Sequence, residues 1–424
     1  MSGTIISTQK KYPRILIAVI VFLISINMAE ASSDMKPAMQ EVSPIGPDFS
    51  GKATGGWHGY REQLERAGIS INAQLVPEGF ANFRGGQSTS KAISALTTSL
   101  TLDIDTEKFI GWDSGRFLAN LTDHVGENPS TRLIGDLQVF DNFNTKPFLQ
   151  IFELWYDQII FKKKLRVKVG KVDANTNFSV IDNGLPFLNS SSQVNPALFL
   201  FPTTPDPMPS VNVFYSSHKN YYISFGAYYA NRSSSFGNFS GSPQDVQPTE
   251  HGAFLIGETG LTWQRAPGLL YGGNLKFGFW GHTGNFTHLD GTSKHGTHGY
   301  YLIYNQTLWR PNSSNDNDRS IKTFLSYGRT QNTINVIDWN FSAGLTWTGM
   351  LSSRPDDMLG FGPDYAHIVR QAGLPKPYEL AIEMFYSFQV IASAKIKPDL
   401  QYIINPGGRY RDSLVGSLRV IVDL

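Results

Sequence analysis

The sequence contains no cysteine, almost no net charge and only one long apolar run. Without cysteine, the chain of 424 residues can form neither a disulfide framework nor a cysteine metal site or nucleophile. Its 36 basic and 35 acidic residues leave a formal net charge of +1, so no strong field favours nucleic acid as a partner. Motifs for a serine hydrolase, a phosphate-binding loop or a His-Glu-x-x-His zinc site are also absent. We therefore expect no catalytic residues, no cofactor and no metal.

The one apolar run lies near the N-terminus. It extends from Ile15 to Ile26, follows a basic segment that ends at Arg14, and precedes the small-x-small sequence Ala29-Glu30-Ala31. This arrangement predicts a secretory signal peptide over residues 1–31. A membrane anchor is the alternative, but a spanning helix needs about 20 apolar residues.

The next segment, residues 32–68, is predicted to lie in the periplasm. Its first part is polar, rich in Pro, Gly and Ser, and has no period. The apolar residues Trp57, Tyr60, Leu64 and Ala67 then recur at helical spacing, and Gly68 stands where a left-handed helix cap is expected. The pattern predicts one short amphipathic helix.

From Ile69 to Leu424 the chain alternates apolar and polar side chains with a period of two. In the segment 378–390 every even position is apolar, whereas Glu383 and Gln389 point the other way. Strands of about ten residues with one apolar and one polar face are what a membrane-spanning β-barrel requires. Further runs of this kind are centred on residues 100–104, 117–121, 152–157, 165–169, 221–229, 275–280, 300–308, 321–327, 341–348, 396–404 and 414–424.

The length of this region predicts the number of strands. Roughly 355 residues, divided by about 22 for a strand and its connection, give about sixteen strands, an even number as in single-chain bacterial barrels. The predicted fold is therefore all-β, with a transmembrane antiparallel barrel over residues 69–424. A secreted β-sandwich or β-solenoid is the alternative, but its strands would usually be shorter. Aromatic residues at strand ends, such as Tyr221 and Tyr229, favour the barrel because they suit a membrane interface.

Several short motifs carry a family resemblance. Phe152-Glu-Leu-Trp155 is followed by Gly170-Lys-Val-Asp173, and the segment Lys397–Gly408 contains a distinctive Pro-Asp-Leu-Gln-Tyr-Ile-Ile-Asn-Pro-Gly-Gly run. Together with the spacing of the N-terminal helix, these motifs resemble the carbohydrate-selective porin family, the OprB type of Gram-negative outer membranes. The other matching elements are Trp57, Arg61, Leu64, Gly68 and Ile69, then Asn82-Phe-Arg-Gly-Gly86, Leu100–Asp103 and Gly111-Trp112.

This resemblance implies a sixteen-stranded channel of the outer membrane that has a constriction suited to monosaccharides and performs no chemistry. Its expected partners are small carbohydrates and outer-membrane lipid, and the channel is expected to be a monomer or a homotrimer. The chain departs from the usual pattern at its last residue, which is Leu424 rather than an aromatic. The functional alternatives are a general porin that admits organic acids or polyols, and an outer-membrane barrel enzyme.

Polar side chains on neighbouring strands are the first candidates for the pore lining. Glu153, Trp155 and Asp157 share one face of a strand, and Arg166 and Lys168 share the corresponding face of the next. Charged and aromatic groups in a water-filled lumen can bind sugar hydroxyls and the weakly apolar faces of sugars. Ordinary cross-strand pairs that brace the wall are the alternative. Asp103 shares a polar face with Asp105, and we interpret both as solvated carboxylates rather than a catalytic pair.

Four further candidates lie in loops. The segment 173–210 is long, aperiodic and rich in Pro and Phe, so it predicts a packed constriction loop, with an extracellular cap as the alternative. Asp173, Asn175 and Asn177 at its start could present carboxylate and amide groups to the lumen. Arg84, beside paired glycines, could also line the pore, although a surface turn is an equal alternative.

Four histidines occur between Gly281 and Gly299. They are His282, His288, His295 and His298, and their spacing does not match a two-ligand helix motif for a metal. We expect them in an exposed extracellular loop rather than in a metal site.

Overall fold

The computed structural model describes residues 51–143, 145–198, 200–230, 252–264, 271–287, 289, 291–311, 319–331 and 333–424. The predicted signal peptide and residues 32–50 lie outside this part of the chain. No described helix is long and apolar enough to cross a membrane.

A closed barrel of sixteen strands dominates the described residues. Each strand pairs antiparallel with its neighbours along the chain, and β1 closes the barrel by pairing with β16. The prediction of about sixteen antiparallel strands is confirmed. The strands are β1 (Ile69–Arg84), β2 (Ala92–Asp105), β3 (Gly115–Gly126), β4 (Phe148–Ile160), β5 (Leu165–Val172), β6 (Met208–His218), β7 (Tyr221–Ala230), β8 (Gly252–Trp263), β9 (Gly273–Thr287), β10 (Ser293–Trp309), β11 (Ser320–Thr330), β12 (Ile337–Thr348), β13 (Met358–Ile368), β14 (Tyr378–Ile391), β15 (Ala394–Ile404) and β16 (Ser413–Asp423).

Alternation gives the wall two chemically different faces. Along β14, Glu379, Ala381 and Glu383 are fully buried on the inside, whereas Met384 on the outside is 51% exposed. Outward positions around the barrel carry Leu, Val, Phe and Tyr, which suit lipid. Four strands, β1, β6, β8 and β13, have no run of their own in the sequence prediction, and each contains glycine or proline.

Two short α-helices lie at one end of the barrel. Helix α1 spans Tyr60–Arg66. The preceding residues Trp57–Gly59 form a separate short turn, and the helix does not extend into it because His58 and Gly59 adopt positive φ angles of 55° and 91°. Gly68 follows α1 with φ 82°, as the helix-cap prediction requires. Helix α2 (Thr106–Ile110) connects β2 to β3.

Asp105 has a capping role. Its side chain accepts hydrogen bonds from the backbone N–H groups of Glu107 and Lys108 at the start of α2. Asp105 is the last residue of β2, two residues after Asp103, so it caps the helix from the end of the strand.

Two loops turn inward and pack against the barrel wall. The first inward loop joins β3 to β4 and contains a short π-helix at Ser130–Ile134. Its apolar residues Leu133, Ile134 and Phe140 cluster with inward residues of β1, β2, β14, β15 and β16. The second inward loop joins β5 to β6 and contributes Phe178, Phe187 and further apolar residues to a larger cluster.

The second inward loop corresponds to the predicted constriction segment. Its Phe187 ring packs edge-on against Phe324 at 5.5 Å and Phe385 at 5.2 Å, both on inward positions of the wall. The loop ends three residues earlier than predicted, because residues 208–210 already pair with β5 as the start of β6. Phe199, one of the Phe residues of the predicted constriction segment, lies outside the described residues.

Candidate functional site: the pore between the inward loops and strands β1–β4

An open cavity remains where the inward loops leave part of the wall uncovered. Its volume is about 250 Å³, and its walls are inward positions of β1 to β4 together with one residue from each inward loop. Most of the lining side chains are uncharged hydrogen-bonding groups or aromatic rings. The lining residues are Gln74, Val76, Thr97, Ser99, Asn120, Thr122, His124, Phe143, Phe148, Phe152, Glu153 and Thr204.

A β-bulge shapes one wall of this cavity. Asn120 of β3 pairs with Glu153 of β4, and the next residue of β3, Leu121, pairs with Ile151. Phe152 is therefore an extra residue in β4. Phe152 and Glu153 therefore both line the cavity. The alternation predicted from the sequence put Phe152 on the face opposite to Glu153, and this is wrong because the bulge shifts the register by one residue.

Aromatic rings follow one another along this wall. The rings of His124 and Phe148 stack with centroids 6.1 Å apart, and those of Phe148 and Phe152 with centroids 6.4 Å apart. Thr97 Oγ1 lies 2.9 Å from His124 Nδ1 and fixes the imidazole. The sequence did not identify Thr97, His124, Phe148 or Phe152 as lining residues, and for Phe148 and Phe152 the reason is that the bulge hid their inward parity.

The charged candidates lie together on β4 and β5. Arg166 Nε is 3.6 Å from Asp157 Oδ2, and Lys168 Nζ lies 4.1 Å from the centroid of the Trp155 ring. Asp157 and Lys168 are directly paired across the two strands. The structure thus brings together Trp155, Asp157, Arg166 and Lys168 on one inward surface, as the parity of the two runs predicted.

Arg116 on β3 extends this charged surface to Asp103. Its Nε donates to Asp103 Oδ1 at 2.8 Å, and its guanidinium carbon lies 5.6 Å from the Trp155 ring centroid. The polar parity of β3 could have identified Arg116 from the sequence, but it was not proposed. Asp103 accordingly forms an ion pair with Arg116, in which both side chains are partly exposed.

Asp173 and Asn175 anchor the second inward loop. Asp173 is buried and its side chain accepts from Asn175 N–H at 2.8 Å, while its own N–H donates to Glu153 Oε1 at 3.0 Å. Burial raises the pKa of Asp173 to about 7, and the nearby Glu153 carboxylate adds to the rise. The expectation that Asp173 presents its carboxylate to the lumen is therefore wrong, because that group caps a turn inside the protein.

Asn175 lies in the same turn and donates from Nδ2 to the carbonyls of Phe178 and Ser179, each at 3.4 Å. Of the polar residues at the start of the loop, Asn177 is the one that reaches the charged surface. Its Oδ1 accepts from Lys168 Nζ at 3.1 Å.

Arg84 lies at the exposed end of β1, away from the cavity. The strand is irregular between Asn82 and Arg84, which shifts its pairing with β16. The Asn82-to-Gly86 element instead holds the first inward loop: Asn82 Nδ2 donates to Gly85 O at 2.8 Å and to Leu133 O at 3.1 Å. Of the two alternatives for Arg84, a pore-lining residue or a residue of a surface turn, its position matches the second.

Buried carboxylates of the wall hold both inward loops. Glu379 accepts from the backbone N–H groups of Leu137 and Gln138 in the first loop. Glu383 accepts from the N–H groups of Leu188 and Asn189 in the second, at 2.6 and 2.8 Å. The first inward loop was missed in the sequence, and its only signal was a cluster of apolar residues in an aperiodic connection.

The histidines lie on strands rather than in a loop. His282 is on β9, where its Nδ1 accepts from Gly284 N–H at 2.9 Å, and His295 and His298 are on β10. The expectation of an exposed loop is wrong for these three, because β9 and β10 extend further than predicted. His288 lies outside the described residues, and no group of metal-ligating side chains occurs in the part of the chain that the structure describes.

Comparison with known proteins agrees with this architecture. Porin B of Pseudomonas aeruginosa is 26% identical over 419 residues, covering 86% of this chain and 90% of the relative. The putative porin QuiX of Acinetobacter baylyi is 22% identical, with 84% of this chain and 88% of the relative covered. The high-pH structure of Pseudomonas putida OprB shares the fold with a TM-score of 0.77 at 21% identity, covering 90% of this chain and 100% of that one.

The family model described as "Carbohydrate-selective porin, OprB family" matches residues 89–424. This match covers most of the chain and all but the first of the barrel strands. The chain therefore belongs to the OprB family of carbohydrate-selective porins, which are channels of the outer membrane and not enzymes.

Proposed function

We propose that small neutral sugars, monosaccharides in particular, diffuse passively through the cavity between β1–β4 and the inward loops. The observation that carries this proposal is the lining, in which hydroxyl and amide groups and aromatic rings surround the path and Glu153 is the one acidic residue. Hydroxyl and amide groups exchange hydrogen bonds with sugar hydroxyls, and aromatic rings contact sugar C–H faces. Binding of this kind is weak enough for release, as conduction requires.

The charged surface next to the cavity supports selection of neutral solutes. Its cations and anions are paired, so the surface has a strong local field but little net charge. Such a field does not repel a polar neutral solute, whereas an ion of either sign meets a like charge on the wall. We propose that this surface borders the path through Asp103, Glu153 and Arg166, with the buried side chains of Trp155, Asp157 and Lys168 packed beside them.

Liposome swelling tests the proposal. Purified protein in liposomes should admit glucose faster than gluconate, which has a similar size and carries one negative charge. Equal or faster entry of gluconate would contradict the proposal and favour the alternative of a porin that admits organic acids. The reversal potential in a salt gradient provides an independent measurement, because an acid-preferring channel selects anions.

A single chain encloses the whole proposed path. The sixteen strands close on themselves through the pairing of β1 with β16, so a monomer and a homotrimer would conduct by the same route. We propose that transport requires only one chain. Light scattering in detergent gives the assembly state, and the conductance of a purified monomer tests whether one chain is enough.

A further inference from the structure

The β-bulge at Phe152 places an aromatic ring and a carboxylate next to each other on the cavity wall. In a regular strand, adjacent residues point to opposite faces, and one of this pair would face lipid. The extra residue in β4 turns both side chains toward the cavity. The bulge thus creates a pair of functional groups that regular alternation cannot provide.

The carboxylate of Glu153 has one oxygen in use and one available. Oε1 accepts from Asp173 N–H at 3.0 Å and from Trp155 Nε1 at 3.2 Å, which fixes the side chain. Among the described residues, Oε2 has no hydrogen-bond partner, and Glu153 lines the cavity. A carboxylate oxygen has two lone pairs and can accept hydrogen bonds from two neighbouring hydroxyl groups.

The rings beside Glu153 form an extended apolar surface. Phe148 and Phe152 stack with an angle of 21° between their planes, and Phe143 of the first inward loop also lines the cavity. A pyranose ring holds its C–H groups on a rigid face that can lie against such a surface. An open-chain polyol has the same hydroxyl groups but keeps no such face, and it loses conformational entropy when it is held flat.

We propose that Phe148, Phe152 and Glu153 form a binding site that selects cyclic pyranoses over open-chain polyols. This inference rests on the proposed function, because it specifies which neutral solutes the same pore prefers. The ring face of the sugar lies against Phe148 and Phe152, and adjacent hydroxyl groups donate to Glu153 Oε2. Selection then depends on solute shape, not on charge or size.

Liposome swelling with glucose and glucitol tests this selection, because the two solutes are nearly equal in size and both uncharged. Wild-type protein should admit glucose several times faster. In Phe152→Leu the ratio of the two rates should fall toward one, and in Phe152→Tyr, which keeps the aromatic face, it should stay close to the wild-type ratio. Phe279→Leu is the matched control, because Phe279 is 54% exposed on the outside of β9. Its ratio should not change.

The outcomes separate this inference from the proposed function. A wild-type ratio of one, or an unchanged ratio in Phe152→Leu, overturns the pyranose site even when glucose still enters faster than gluconate. Equal entry of glucose and gluconate in wild type overturns the proposed function itself. Phe148→Leu provides a second variant of the same surface, and a normal heat-modifiable band on gels identifies correctly folded protein.

The carboxylate is tested separately. Glucose should block the current through single channels in planar bilayers, and Glu153→Gln should raise the apparent dissociation constant for this block about fivefold, the loss of roughly 1 kcal/mol. The amide keeps an acceptor for Asp173 N–H, which preserves the fold. An unchanged constant in folded Glu153→Gln would remove Glu153 from the site.

Discussion

Arg419 of β16 and Asp141 of the first inward loop form a buried ion pair, with Nη2 2.7 Å from Oδ1. The same guanidinium donates from Nε to Glu78 on β1 at 2.5 Å. All three side chains are at most 5% exposed. One cation thus joins the two strands that close the barrel to the loop that narrows its interior.

Substitution of Arg419 by Met should destabilise the barrel and release the loop. The change leaves Glu78 and Asp141 buried without their cation, which typically costs about 3–5 kcal/mol. We expect a lower denaturation midpoint and a higher single-channel conductance. Arg66→Met is the matched control, because Arg66 and Glu62 form an exposed pair on helix α1, with side chains 63% and 39% exposed, and its loss should change neither quantity. Wild-type conductance in folded Arg419→Met would show that other contacts hold the loop.

The barrel could be predicted from the sequence because its cause is local. A strand between lipid and water must alternate apolar and polar side chains, and the runs in β14 to β16 show this alternation. The charged surface of β4 and β5 was predicted for the same reason. To predict that Trp155 and Lys168 share one face of the wall, only the correct parity within each strand was required.

The interior could be predicted only in part because its causes are tertiary. A bulge such as that at Phe152 depends on how β3 pairs with β4, and nothing in the sequence of β4 alone marks the extra residue. Likewise, the first inward loop is held by Glu379 and Arg419, which are more than 200 residues away along the chain. Asp173 has the polar side chain expected of a lining residue, but the surrounding residues bury it.

Arg166→Ala should make the channel more selective for cations. The substitution removes one positive charge opposite Asp157 and leaves an excess of carboxylate on the wall. The effect on the reversal potential should weaken with salt, because the Debye length falls from about 10 Å at 0.1 M to about 3 Å at 1 M. Stability should fall by roughly 1 kcal/mol, because Arg166 is partly exposed and Lys168 remains paired with the buried Asp157.

Arg329→Ala is the control for this measurement. Arg329 is exposed on the outside of β11, so its removal changes the net charge equally without changing the lumen. The reversal potential should stay at the wild-type value. An Arg166→Ala channel that behaves in the same way at low salt would place Arg166 outside the conducting path.

Asp173 should make the barrel less stable as the pH rises. Its pKa increases from 3.8 to about 7 through burial and through the neighbouring Glu153 carboxylate. The folded state therefore binds this proton more tightly than the unfolded state, and the stability from this group decreases between about pH 4 and pH 7. Asp173→Asn should stabilise the protein more at pH 8 than at pH 5, as measured by denaturation midpoints.

Asp105→Asn is the matched control for the pH measurement. Asp105 also caps a short helical segment, but its side chain is 45% exposed at the barrel end. The difference between the midpoints of this variant and wild type should vary little over the same pH range. If Asp173→Asn shows no more pH dependence than Asp105→Asn, then Asp173 is ionised in the folded protein at low pH.

Gly170→Ala should prevent normal folding of the barrel. Gly170 has φ +140°, a backbone conformation that residues with a Cβ atom rarely adopt. An added methyl group would lie 2.6 Å from Trp155 Cα on the adjacent strand and would also collide with the carbonyl oxygen of Leu154. Both contacts are with rigid backbone, so the strain cannot be relieved by a side-chain rotation.

The expected result is a strong reduction of folded protein in the outer membrane, seen as loss of the heat-modifiable band. Gly79→Ala on β1 is the control, because an added Cβ there meets no atom within 4 Å and Gly79 has no positive φ. Normal amounts of folded Gly170→Ala, equal to those of Gly79→Ala, would mean that β4 and β5 can separate locally. In that case Trp155 and Lys168 would also change their distance, and the glucose-to-gluconate ratio of the variant should differ from wild type.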